Sequence, residues 1–70
     1  MDTNEIQPLE ALYLSMIDKK NVEIYEKEGN TIHRGYIVGF DEYMNIVIET
    51  GHSRYLLKGD CILSINIKKD

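Results

Sequence analysis

The chain has no tryptophan, one cysteine, one proline and one phenylalanine among its 70 residues. Each shortage removes an option. A lone Cys61 excludes an intramolecular disulfide framework and suits a reducing compartment. It falls in a strand-like run with no His–Asp pattern beside it. It is therefore expected to be a small buried apolar residue rather than a nucleophile. No apolar run approaches the roughly 20 residues of a membrane span, so no membrane partner is expected. The first residues, MDTNEIQ, are acidic and polar and do not resemble a secretory signal, which points to a soluble intracellular protein. Basic side chains are scarce too: eight Lys and Arg stand against twelve Asp and Glu, a net charge of −4. Non-specific nucleic-acid binding ordinarily needs a basic face. Any such contact here has to be a local pocket, in an assembly whose other members supply the positive field.

Seventy residues make one small domain. A chain this size buries only about 60% of its unfolded surface and is marginal alone. With no disulfides to help, oligomerisation is the common remaining stabiliser. The expected organisation is a frayed stretch over 1–7, one domain over 8–67 and a solvated tail over 68–70. Pro8 fits the first position of a helix, where its missing N–H costs nothing. Leu9, Leu12, Tyr13, Met16 and Ile17 then follow a helical period, and the stripe is expected to pack on a sheet. Short alternating runs follow at Val22–Glu26, Thr31–Phe40, Met44–Glu49, Ser53–Lys58 and Cys61–Ile67. Lys27-Glu28-Gly29-Asn30 is a hairpin signal between the first two. The fold class is mainly β: an N-terminal helix and a strongly bent sheet of five antiparallel strands. Pattern alone does not separate an SH3-like barrel from an OB-like one.

The densest stretch is Gly35–Asn45, GYIVGFDEYMN. Tyr36, Ile37, Val38 and Phe40 favour a strand. Gly35 and Gly39 inside it mark a bend or a close backbone approach. Asp41-Glu42 breaks the run, and the strand pattern resumes at Met44. One turn thus carries a carboxylate, an aromatic ring and an amide as Asp41, Tyr43 and Asn45. That set suits an unstacked base: the ring stacks, the amide bonds the base edge, and the carboxylate orients the amide.

GFDEYMNIVI resembles the first motif of the Sm and like-Sm family, and FDEYMN is especially similar to one of its members. Leu57-Lys58-Gly59-Asp60-Cys61-Ile62 resembles the second motif. The resemblance implies the Sm fold, with the fourth strand of one subunit pairing with the fifth of its neighbour. It implies that Tyr43 stacks on a base, Asn45 bonds its edge, and Asp41 holds the amide. Lys58 would cover the other face of the base, Gly59 would permit close approach, and Asp60 would tie the two loops together. The implied function is an RNA-binding subunit of a hetero-heptameric ring. That ring sits on the uridine-rich Sm site of spliceosomal small nuclear RNAs and acts in pre-mRNA splicing. Its partners are other Sm proteins and uridine-rich single-stranded RNA. It would be nuclear with a cytoplasmic assembly phase, with no cofactor, no small-molecule substrate and no enzymatic activity. A like-Sm subunit in RNA processing or decay is the near alternative; an SH3-like module that binds no RNA is the distant one.

Three departures accompany the resemblance. His33 stands where an apolar residue is usual. Cys61 stands where Asn is common. The 49–53 link is shorter than in the member it most resembles. Lys58 replaces a frequent Arg and stacks less well than a planar guanidinium. Plainer readings exist for each residue: Asp41 as a turn former, Tyr43 as a loop aromatic, Asn45 as a backbone cap. Flanking glycines and the downstream Lys-Gly-Asp weigh against them. Asp41, Glu42 and Asp60 as a metal site lack any motif that enforces convergence. His33 and His52 have no partner at ligand spacing.

Overall fold

A computed structural model describes residues 9–68; the expected helix start at Pro8, the 1–7 stretch and the last two residues lie outside them. Helix α1 spans Leu9–Ile17 and is followed by β1 Asn21–Glu26, β2 Ile32–Phe40, β3 Ile46–Thr50, β4 Ser53–Leu57 and β5 Ile62–Ile67. A single 3₁₀ turn, Gly59–Cys61, joins the last two strands. The strands form one sheet in the order β4-β3-β2-β1-β5, every pairing antiparallel. This is the helix and five-stranded bent sheet expected from the pattern.

The hairpin from β1 to β2 turns at Gly29 and Asn30, both with positive φ, which Gly and Asn tolerate best. β2 then bends sharply. A Cβ on Gly35 would lie 2.1 Å from the carbonyl oxygen of Glu49. The strand can therefore curl onto β3 only where a side chain is missing. Gly39 meets nothing within 4 Å; it sits instead beside a register shift between Ile37 and Gly39, where a bulge turns the strand end. Both glycines shape the strand, by different means.

The core is aliphatic: Leu12, Val22, Ile24, Ile37, Ile46, Ile48, Leu57, Ile62 and Ile65. Alternate residues of β1 and β3 point into it, as strand period requires. Two expectations about which face is buried need correction. On α1, Leu12 and Ser15 are buried and Met16 is half-buried, while Leu9, Tyr13 and Ile17 are exposed. The inward face is rotated toward Ser15, whose hydroxyl donates to the Leu12 carbonyl at 2.8 Å and so enters the core satisfied. On β5, the expected alternation of Cys61, Leu63, Ile65 and Ile67 is broken. Tyr25 pairs Ser64 but Glu26 pairs Ile62, so Leu63 is skipped and its side chain is 58% exposed. Cys61 belongs to the 3₁₀ turn and is exposed, not buried.

The outer face of β1 carries one polar hub. Glu23 accepts from Arg34 Nε at 3.0 Å, from Asn66 Nδ2 at 3.3 Å and from the Tyr25 hydroxyl at 3.2 Å, and Lys68 Nζ lies 3.5 Å away. The Arg34 guanidinium, with the Asn66 amide, holds its carboxyl down at about 2. The same hub pushes the Tyr25 phenol up, through burial first and its bond to Glu23 second. The contacts tie β2 and β5 to β1 from outside the core. Among the described residues β4 and β5 pair on one side only, which makes both edges of the sheet.

Candidate nucleic-acid interface

The turn between β2 and β3 is built by Asp41. Its backbone N–H donates to the Asn45 carbonyl at 3.1 Å, and its own carbonyl accepts from Met44 N–H at 3.0 Å. Its side chain does more. Oδ1 accepts from the backbone N–H groups of Tyr43, at 2.9 Å, and Asn45, at 3.0 Å. Oδ2 accepts from the Asn45 amide Nδ2 at 3.0 Å. That amide, opposed by partial desolvation and helped by the two backbone donors, holds the Asp41 carboxyl below the usual range. Asp41 is thus charged, with both oxygens engaged inside its own turn.

Asn45 is gripped from both ends. While Nδ2 donates to Asp41, Oδ1 accepts the backbone N–H of Gly59 at 2.9 Å, across fourteen residues of sequence. The two bonds fix which end of the amide is oxygen. They leave one N–H and one lone pair free. Gly59 can come this near only as glycine: a Cβ there would lie 2.1 Å from the Tyr43 carbonyl oxygen. The sequence places Lys58–Gly59 and Tyr43–Asn45 in separate motifs; the fold brings them to one rim.

Tyr43 is 73% exposed, the most exposed large hydrophobic residue among the described residues. Lys58 is exposed and opens the 3₁₀ turn with extended backbone. The rim therefore offers an open aromatic ring and a clamped amide, with Lys58 exposed next to Gly59 in the chain. Asp60 differs from expectation. The tie between the loops is made by the Gly59 backbone, and Asp60 is exposed and lines a shallow cleft of about 170 Å³ with Glu26, Lys27, Glu28 and Cys61. Among the described residues, no group of three His, Cys, Asp or Glu side chains is placed to hold a metal.

Met44 was expected to open the third strand. It lies in the turn instead, with φ 66°, and β3 begins at Ile46. His33 faces the interior side of β2, where Nε2 lies 2.5 Å from Glu26 Oε2 and its ring is 5.9 Å from that of Tyr55 on β4. The departure from an apolar residue is thus accommodated by a carboxylate and an aromatic neighbour.

A family model described as LSM domain matches residues 12–67. The chain is 35% identical over 75 residues to a protein named probable small nuclear ribonucleoprotein E from Caenorhabditis elegans, covering 87% of this chain and 82% of that one. It is 30% identical over 73 residues to the protein of the same name from Drosophila melanogaster, covering 86% and 78%. Among solved structures it is similar to the SmAP (LSm) protein from Methanococcus vannielii, with a TM-score of 0.71 and 27% identity over 94% of this chain and 99% of that one. The FDEYMN stretch lies within the matched residues. Because residues 12–67 take in most of α1, all five strands and both rim turns, the chain belongs to the Sm/LSM family.

Proposed function

We propose that this chain is an RNA-binding subunit of an Sm ring. The ring would be hetero-heptameric and would assemble on the uridine-rich site of a spliceosomal small nuclear RNA. The observation that carries the reading is the amide of Asn45, locked between Asp41 and Gly59 with one donor and one acceptor left over. Uracil presents N3–H between two carbonyl oxygens. It therefore matches a fixed amide on either side of N3, whereas cytosine matches in only one arrangement. Tyr43 supplies the stacking face and Lys58 approaches from the second turn. Asp41 and Gly59 position the amide rather than touch the base, and Asp60 lines the cleft beside Cys61. Stacking contributes about 1–3 kcal/mol per base, so one pocket is weak and several in a ring are strong.

The relatives named small nuclear ribonucleoprotein E support a nuclear role in splicing. The bare edges of β4 and β5 support assembly with other Sm proteins. Asn45→Ala in the assembled ring tests the pocket. The expected cost is about 1–3 kcal/mol at one base position, the size of a good base contact. Unchanged affinity, with an unchanged crosslink at that nucleotide, rejects the reading.

A further inference from the structure

One residue of the rim is held in a conformation that its type does not favour. Met44 has φ 66°, in the left-handed region where residues other than Gly, Asn and Asp are uncommon. A strained backbone of this kind persists only when its surroundings over-determine it. Here two restraints are visible. The Met44 N–H is fixed to the Asp41 carbonyl at 3.0 Å, and its side chain is half-buried against the aliphatic core.

The consequence falls on its neighbours. Tyr43 is turned out to solvent, Met44 is turned in, and Asn45 is aimed back at Asp41 and across to Gly59. Met44 also meets the second turn. Its carbonyl carbon and Cβ lie 3.1 and 3.2 Å from where a Cβ of Gly59 would stand. Resting on the base-binding role proposed above, we propose that Met44 is a positioning residue for base recognition. Its left-handed backbone aims the Asn45 amide, and its core-packed side chain keeps that backbone in place.

The test uses the full chain in the ring it forms with co-expressed Sm subunits. It measures the ratio of Kd for short oligocytidine to Kd for short oligouridine, beside sedimentation and thermal melting. Met44→Ala removes the anchor, Met44→Leu keeps it, and Met44→Gly frees the backbone while removing the anchor. The Ala and Gly variants are expected to assemble and to lose about tenfold in uridine preference, the scale of one weakened bidentate contact. The Leu variant is expected to stay near wild type. A merely structural role would change melting and leave the ratio alone.

Ala and Gly variants that keep the wild-type ratio overturn the inference. So does their failure to assemble at all, which would make Met44 a packing residue first. If only Ala fails to assemble, Leu against Gly decides in the same way. Wild-type rings without uridine preference, or an Asn45→Ala ring that retains it, would instead reject the base-binding role itself. Preference lost in Asn45→Ala and kept in Met44→Ala rejects Met44 alone.

Discussion

The backbone N–H of Gly59 and the side-chain oxygen of Asn45, 2.9 Å apart, join two turns that the sequence separates by the whole β3–β4 hairpin. The bond orients the amide and holds the rim together. It exists because nothing projects from Gly59 toward the Tyr43 carbonyl.

Substitution of that glycine is therefore predicted to open the rim. In Gly59→Ala the new methyl would meet the Tyr43 carbonyl oxygen at 2.1 Å and Met44 at 3.1 Å, which are backbone atoms that cannot swing aside. Overpacking of this kind costs about 1–3 kcal/mol. The melting temperature should fall and the Asn45 side-chain amide resonances should shift. A variant with wild-type melting and unshifted Asn45 signals would show that the rim gives way freely.

Helix packing supplies a sharper comparison. Leu12 is wholly buried and Ile17 is half exposed, although both belong to the helical stripe visible in the sequence. Leu12→Ala should cost about 2–5 kcal/mol, the range for a core leucine. Ile17→Ala should change stability by less than about 0.5 kcal/mol in the isolated chain. Equal losses in denaturant unfolding would place Ile17 in the core beside Leu12.

That pair also shows what was legible. Spacing alone located the helix and five strands, because apolar period distinguishes 3.6 from 2. It did not set the buried phase. Ser15 looks polar, yet its hydroxyl is satisfied within the helix and can face the core. Leu63 looks like a core residue, yet a bulge removes it from the alternation. At the rim, Asp41, Tyr43 and Asn45 were legible because they share one turn. The Gly59 bond and the left-handed Met44 were not, since both depend on where a distant turn arrives.

Stability in acid should report the Glu23 hub. Its folded carboxyl titrates at about 2, below the ordinary value of about 4.3. A lowered folded value stabilises above the unfolded value, and that contribution is lost as pH falls through the folded one. Glu23→Gln should therefore be less stable than wild type at neutral pH. The gap should shrink below about pH 5 and close only below about pH 2, where the carboxyl is protonated in the folded chain as well. Denaturation midpoints across that range measure it. A gap that does not depend on pH would mean the hub acts by shape and hydrogen bonding alone, without its charge.

Edge pairing calls for a substitution that spares the core. Ile65→Lys is a natural choice from the sequence, but Ile65 is wholly buried and a lysine there would unfold the domain. Leu63 lies on the same edge strand, is skipped by the pairing with β1 and is 58% exposed. A lysine at an exposed edge is a common device against strand addition. Leu63→Lys should therefore leave the far-UV spectrum and the melting of dilute protein near wild type while lowering the sedimentation coefficient of the assembly. If the variant assembles as the wild type does, β5 is not the edge a neighbour occupies. If it loses its fold as well, Leu63 contributes to the core more than its exposure indicates.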